Sequence, residues 1–290
     1  MAFDNAYEAI TEENDARWAF GTGFTEPRSD VDIAVPSGVD GGDLATYCLM
    51  LGDDALIMSH RLQEWCSHAP ELEDDVALAN IGLDLLGQAR LLLARAGTAD
   101  GSGRDEDAYA FSRDECEFRN VRLVEVANGD FAYSIARLLV FSTWRLATLH
   151  RLTGSRDPVL AAIAAKGVKE VAYHRDYAAG WLVRLGDGTE RSHERAQRAV
   201  DAVWPLVGEL FTPHEVERQL AEAGIGVDSA TLREEFDGVL AQVLDVATLR
   251  WPDLAELAGV SGRDGVHTEA MGHLLAELQS VARAHPEATW

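Results

Sequence analysis

Four long stretches with helical spacing of apolar residues limit what this chain can fold into. In each stretch apolar side chains recur at steps of three, four or seven, as on one face of an α-helix. No stretch alternates with period two for long enough to predict a sheet. The four stretches lie at about 44–65, 71–96, 130–154 and 157–186. The sequence therefore predicts an all-α protein built on an antiparallel helical bundle.

The ends of these stretches carry residues that favour helix starts and stops. Asp130 and Asp157 are typical N-caps, and Pro158 suits the first position of a helix. Gly97 is expected to end the second helix and to begin a loop. Shorter helical patterns follow at about 191–211, 213–223, 230–249 and 268–286. The bundle should therefore carry additional C-terminal helices.

The second stretch is apolar nearly all the way round between residues 76 and 89, which predicts a helix buried on every side. Its polar exceptions Asn80, Asp84 and Gln88 are spaced by four and so share one stripe. Buried polar groups need hydrogen-bond partners, which we expect on a neighbouring helix. Two glycines within the stretch predict a close approach of another backbone.

Residues 1–43 differ from the rest, with ten acidic and two basic side chains. We expect an acidic, poorly ordered N-terminal extension, partly docked through Trp18, Phe20 and Phe24. The helical domain should then span 44–290.

The whole chain is acidic, with 49 acidic and 25 basic residues and a formal charge of −24. This charge excludes a protein that binds a nucleic-acid backbone and disfavours an anionic membrane surface. The hydrophobic share of 47% indicates a sizeable buried core rather than an acidic disordered chain. Only Lys166 and Lys169 are lysines. Either a source in strong salt or a coding bias towards arginine explains that scarcity.

The cysteines indicate a reducing compartment. Cys48, Cys66 and Cys116 are odd in number and show no ligand spacing, so we expect buried thiols. The sequence also shows no secretion signal and no run of 18 apolar residues. We therefore expect a cytoplasmic protein.

A bundle of this kind can hold a di-iron centre, which needs a Glu from each of two helices and a Glu-x-x-His pair from each of the other two. The sequence lacks that pattern. The second helix has Asp84 but Gly87 at the histidine position, and the fourth has Glu170 but Tyr173 three residues later. The third helix carries no carboxylate. His174 lies four residues after Glu170, whereas the Glu-x-x-His pair needs a spacing of three. We predict neither a catalytic residue nor a metal ligand in this chain.

Asp84, Glu170 and His174 are better interpreted as a buried hydrogen-bond or ion-pair network. His60 and Glu64 lie opposite the main apolar stripe of the first helix, which is typical of a solvated face. An irregular metal site built from all five residues remains the enzymatic alternative. Other catalytic motifs, such as a nucleophile elbow or a phosphate-binding glycine loop, are absent from the sequence.

Several long motifs resemble one known family, the PaaC-type subunit of the bacterial phenylacetyl-CoA oxygenase (ring 1,2-phenylacetyl-CoA epoxidase). The resemblance covers about residues 44–290 in order. The motifs are LGDDALIMSHRLQEWCSHAPELEDDVALANIGLDLLGQAR (51–90), NGDFAYSIAR (128–137), SRDP (155–158), KEVAYH (169–174) and VHTEAMGHLLAELQ (266–279).

The resemblance implies a ferritin-like fold and a place in a multicomponent monooxygenase of aerobic phenylacetate catabolism. A homologous catalytic subunit would hold the di-iron centre and the CoA ester, and a reductase component would supply electrons from NADPH. This chain would bind no cofactor, and Asp84, Glu170 and His174 would be the remnant of a di-iron site. The chain would pair with the catalytic subunit and further oxygenase subunits, and self-association is an additional option.

Two other classes of function remain open at this point. One is a ferritin-like oxidase with its own irregular metal site. The other is a stand-alone helical scaffold with no link to oxygenation.

Overall fold

The computed structural model describes residues 32–257, 259 and 261–286. Within these residues the chain has ten α-helices and no β-strand, which confirms the all-α prediction. In chain order the helices are α1 (Gly41–Gln63), α2 (Leu72–Ala99), α3 (Glu106–Phe111), α4 (Arg122–Glu125), α5 (Phe131–Leu152), α6 (Pro158–Gly186), α7 (Glu190–Val203), α8 (Glu215–Glu222), α9 (Arg233–Val246) and α10 (Glu269–Ala284). The predicted docking residues Trp18, Phe20 and Phe24 lie outside the described residues.

Helices α1 and α2 form the first antiparallel hairpin. Near the middle of α1, Gly52 leaves room for Leu93, because a Cβ at Gly52 would lie 2.9 Å from the leucine Cδ2. Further along α1, the Ser59 hydroxyl donates a hydrogen bond to the Gly82 carbonyl at 2.7 Å. The predicted close packing at this glycine of α2 is therefore confirmed.

Helices α5 and α6 form the second antiparallel hairpin. At one end the rings of Phe131 and Trp181 meet edge to face at 5.0 Å between centroids. Towards the other end Leu149 packs against Gly167, where a Cβ would come within 3.0 Å of the leucine side chain. A long connection that contains α3 and α4 joins the two hairpins. One long crossover between two helical hairpins is the arrangement of ferritin-like bundles.

Contacts between α2 and α6 close the bundle. At one end Arg95 of α2 forms a buried ion pair with Asp157, the N-cap of α6. At the other end Asp74 accepts hydrogen bonds from Tyr177 Oη and Trp181 Nε1, both at 2.9 Å. The two helices therefore run antiparallel along their whole length.

The additional C-terminal helices pack on this bundle as predicted. Just before α10, the Arg263 guanidinium reaches Asp54 in the middle of α1 at 2.8 Å. On α10 itself, the Gln279 amide donates to the Ala110 carbonyl at 3.0 Å. Buried polar contacts of this kind fix the C-terminal segment against the four long helices.

Two predicted helix boundaries are wrong. Helix α1 begins at Gly41 rather than at residue 44, because Asp40 caps it by accepting two backbone N–H bonds at 2.8 and 3.0 Å. Helix α2 does not end at Gly97 but continues to Ala99. Gly97 lies inside the helix, and a residue without a Cβ is needed there because the Arg104 carbonyl oxygen occupies the place of that atom.

The prediction that α2 is buried on every side is also wrong. One side faces the core, whereas Leu72, Val76, Leu83 and Leu86 on the other side are exposed. By length and composition α2 could cross a membrane, with a mean hydropathy of 1.4, but 56% of that window is buried inside the protein. Such values are typical of a helix that forms one wall of a core.

Two smaller predictions fail as well. Cys48 is buried as expected, but Cys66 and Cys116 are exposed. Among the residues that the structure describes, no second backbone approaches Gly87, and a Cβ there would meet only the Lys166 ammonium, at 3.9 Å.

Candidate functional site

The centre of the bundle holds the side chain of Arg145, which belongs to α5 and is almost fully buried. Its Nε donates to Gln88 Oε1 on α2 at 2.9 Å, and its Nη1 donates to the Leu51 carbonyl on α1 at 3.2 Å. Burial lowers the pKa of this guanidinium to about 10, so it is still charged at neutral pH. A fixed cation therefore sits where these long helices converge.

Gln88 connects Arg145 to α6, the fourth long helix. Its Nε2 donates to Glu170 Oε2 on α6 at 2.8 Å, while its Oε1 accepts from Arg145. The Glu170 carboxylate is also paired with Lys166, one turn earlier on α6, at 3.1 Å. The carboxylate is thus satisfied by an amide and an ammonium.

Asp84 and His174 form a separate pair on the same seam between α2 and α6. His174 Nε2 lies 3.0 Å from Asp84 Oδ2, with the imidazole 1% exposed and the carboxylate 39% exposed. The exposed Tyr173 ring lies edge-on to the imidazole at 6.4 Å between centroids. The structure therefore places Asp84, Glu170 and His174 along one seam. Asp84 pairs with His174, and Glu170 pairs with Gln88.

These residues do not fit a di-iron centre. The two positions that would carry histidines are Gly87, which has no side chain, and Tyr173, whose ring is exposed. The carboxylate of Glu170 is engaged by cationic and amide donors, and the Gln88 amide that binds it is held from α5 by the Arg145 guanidinium rather than by a carboxylate. Among the residues that the structure describes, no three His, Cys, Asp or Glu side chains form a cluster able to hold a metal ion.

The five residues of the alternative metal site are not brought together. Glu64 is bound by Arg61 at 2.5 Å and by the Asn128 amide at 2.8 Å, at the α4–α5 side of α1. His60 is half-buried, and burial lowers the pKa of its imidazole, with the positive charge of Arg61 acting in the same direction. The predicted solvated face is correct for Glu64 but not for His60.

Sequence reasoning missed two fully buried carboxylates on α1. Asp53 of α1 is paired with Arg113 at 2.5 Å, and the adjacent Asp54 is paired with Arg263. Burial raises the pKa of Asp54, although the guanidinium opposes the shift. Two consecutive Asp residues inside an apolar helical stretch were the available signal, because buried carboxylates require partners.

A surface groove of about 770 Å³ lies between α3 and α10. Its walls include the apolar side chains of Phe111, Leu278 and Val281. The groove shares no residue with the polar cluster at the bundle centre.

Two comparisons place this chain among known proteins. It matches the family described as phenylacetic acid catabolic protein over residues 38–290. It is also 48% identical over 247 residues to the C subunit of the 1,2-phenylacetyl-CoA epoxidase of Escherichia coli (strain K12), a match that covers 85% of this chain and 99% of that protein. The helical bundle, the family match and the sequence identity agree with one another. The chain therefore belongs to the phenylacetic acid catabolic protein family, which has a ferritin-like helical fold.

Proposed function

We propose that this chain is a non-catalytic structural subunit of a multicomponent phenylacetyl-CoA 1,2-epoxidase, a monooxygenase of aerobic phenylacetate catabolism. In this role it supports a homologous di-iron subunit that carries out the oxygenation. The link to phenylacetyl-CoA rests on the 48% identity with the epoxidase subunit of Escherichia coli.

The observation that carries the non-catalytic role is the cation at the bundle centre. Arg145 bridges α1 and α2 from α5, and through Gln88 it reaches Glu170 on α6. A guanidinium in this place repels a metal cation and leaves no set of carboxylate and imidazole ligands around it. The chain keeps a ferritin-like bundle without the groups that the metal chemistry needs.

The cofactors and partners follow from this role. We propose that the chain binds no cofactor, that the di-iron centre lies in the partner subunit, and that electrons come from NADPH through a reductase. The formal charge of −24 agrees with this division, because an acidic chain is poorly suited to bind the phosphates of CoA. The assembly would act in the cytoplasm.

Two measurements test the proposal. Iron analysis of the purified chain should find iron far below one atom per chain. Turnover of phenylacetyl-CoA by the reconstituted complex should fall strongly when this chain is left out, and should persist when folded Glu170→Gln or His174→Gln variants replace it.

Two results would contradict the proposal. Near-stoichiometric iron that disappears in the Glu170→Gln and His174→Gln variants would show a working metal site, and so favour the oxidase alternative. Full turnover by the remaining subunits without this chain would exclude a supporting role.

A further inference from the structure

A cavity of about 370 Å³ lies at the end of the bundle where α5 begins and α6 ends. Its lining includes the rings of Phe131 and Trp181 and the side chain of Leu185, and the start of α7 supplies its polar residues. The cavity shares no residue with the polar cluster around Arg145 or with the groove between α3 and α10. We call it the α5–α7 cavity.

The aromatic rings of the α5–α7 cavity are fixed by contacts within the protein. Phe131 and Trp181 meet edge to face at 5.0 Å between centroids, and Phe131 meets Trp65 in the same way at 5.7 Å. The Trp181 Nε1 donates to Asp74 Oδ1 at 2.9 Å, and the Arg184 guanidinium stacks on the indole with its Cζ 5.2 Å from the centroid. A preformed wall of this kind is typical of sites that bind a small molecule with a ring.

Two arginines of α7 supply the charge of the cavity. Among the described residues, its lining contains Arg191 and Arg195 but no carboxylate, although the chain has 49 acidic and 25 basic residues. Arg191 is exposed and has no ion-pair partner in the described part of the chain. Arg195 donates from its Nε to Asp130 at 2.8 Å, which leaves its two Nη groups without a described partner. Glu190 and Glu194 are next to these arginines in sequence but lie outside the lining.

The two hydroxyl groups of the lining are already used by the helix. The Ser192 N–H donates to Thr189 Oγ1 at 3.2 Å, and the Thr189 N–H donates to Ser192 Oγ at 2.9 Å, as the capping box of α7. The cavity therefore offers a ligand an aromatic and apolar wall and two guanidinium groups. Such a combination selects a compound that has both a ring and a negative charge.

The geometry points to a binding site for a small aromatic carboxylate. The ring of the ligand packs on Phe131 and Trp181, and its carboxylate accepts hydrogen bonds from Arg191 and Arg195. Hydrogen bonds between a guanidinium and a carboxylate are charge-assisted, and the apolar wall strengthens them by lowering the local dielectric constant. An amide or a thioester of the same acid lacks this charge and binds weakly. The inference is independent of the proposed function, because it concerns binding by this chain and not turnover.

The test is titration of the purified chain with phenylacetate, followed by isothermal titration calorimetry. Phenylacetate has one ring and one carboxylate, and phenylacetamide has the same shape without the charge. We expect one site per chain with a dissociation constant of roughly 0.1–1 mM, as suits a ligand of about ten non-hydrogen atoms. Phenylacetamide and acetate should each bind at least about tenfold more weakly, because each lacks one of the two recognised groups.

Arg191→Gln removes one cation of the cavity, and Arg198→Gln is the matched control. Arg198 lies on the same helix, is 69% exposed and pairs with Glu194 outside the cavity. We expect Arg191→Gln to weaken phenylacetate binding about tenfold, whereas the control should stay within about twofold of the wild type. The indole N–H resonance of Trp181, assigned by its loss in Trp181→Phe, should shift when phenylacetate binds to the wild type.

Three results would overturn the inference. They are the absence of saturable phenylacetate binding, equal binding of phenylacetamide, and an equal loss of affinity in Arg198→Gln. The comparison of the two ligands uses the wild-type chain, so it remains valid if a variant fails to fold. Binding of N-acetylphenylalanine more than about tenfold tighter than phenylacetate would instead assign the cavity to the carboxyl end of a protein partner.

Discussion

The ion pair between Arg95 and Asp157 gives the sharpest test of how this bundle is held together. The two side chains are 1% and 0% exposed. Asp157 also caps α6 by accepting the Leu160 N–H at 2.8 Å, and Arg95 donates to the Ile33 carbonyl at 2.5 Å. The pair therefore joins the end of α2, the start of α6 and the segment before α1.

Replacing Arg95 by Met would leave the Asp157 carboxylate buried without its cation. Removing one partner of a buried ion pair costs about 3–5 kcal/mol in the free energy of unfolding, and the lost bond to Ile33 adds about 1 kcal/mol. Asp157→Ser keeps a capping hydroxyl but leaves the guanidinium unpaired, so we expect a loss of about 3 kcal/mol. The double variant buries no unpaired charge, and its loss should be only about 1–2 kcal/mol.

The assay is equilibrium unfolding in urea, a denaturant that does not screen charges, and far-ultraviolet circular dichroism monitors the unfolding. Arg151→Met is the matched control, because Arg151 pairs with Glu235 across α5 and α9 with both side chains 43% exposed. Its effect should stay within about 0.5 kcal/mol. The reasoning is refuted if the Arg95→Met and Asp157→Ser double variant is less stable than either single variant. It is also refuted if Arg95→Met costs no more than the control.

Two further predictions concern a pair of glycines on α2 and a buried histidine. Gly97→Ala should lower the free energy of unfolding by more than about 2 kcal/mol, because the new Cβ would collide with the Arg104 carbonyl. Gly87→Ala should raise the free energy of unfolding by about 0.5–1 kcal/mol, since among the described residues only the flexible Lys166 ammonium is nearby. Urea unfolding measures both variants, and changes in stability of the same sign would contradict the reasoning. Burial opposes charge on His267, but its hydrogen bond to Glu125 at 2.7 Å outweighs this and raises the pKa. This stabilisation should be complete below pH ~6.5 and lost as the pH rises through the raised pKa. The stability gap between the wild type and His267→Gln, from urea unfolding at several pH values, should narrow with rising pH. A stability gap that widens with rising pH would refute the stabilising role of the His267–Glu125 hydrogen bond.

Local signals were enough to predict the four long helices and most of their ends. Asp130 and Asp157 cap α5 and α6 through the backbone N–H groups of Tyr133 and Leu160, as their residue types indicate. Capping and apolar spacing depend on residues a few positions apart, so the sequence contains the information in readable form. The failed Gly97 stop shows the limit of such signals. Glycine serves equally to end a helix and to admit a distant backbone, and only the tertiary structure distinguishes the two.

The polar cluster at the bundle centre could be predicted only in part. Periodicity correctly placed Asp84 and Gln88 on a stripe with partners on a neighbouring helix, and those partners are His174 and Glu170 of α6. The same prediction is wrong for Asn80, which is exposed. It did not reveal Arg145, because an arginine in an apolar helix can lie at the centre or extend to the surface with the same spacing. Which carboxylate pairs with which arginine depends on contacts between residues far apart in sequence. The buried carboxylate of α1 and its arginine before α10, for example, are 209 positions apart.

Arg145 connects the helices at the centre of this ferritin-like bundle through groups that belong to the chain itself. In a di-iron protein the metal ions balance the charge of inward carboxylates and connect the helices that carry them. Here the guanidinium donates to α1 and α2 directly, while Lys166 supplies a second cation beside Glu170 on α6. Both cations are side chains of the protein itself, and the Glu170 carboxylate has its ion-pair partner in Lys166. The hydrogen bonds of a guanidinium are directional, so they constrain how α1, α2 and α5 are placed relative to one another. A bundle constrained in this way can present a constant surface to a partner subunit, which is what the proposed structural role requires.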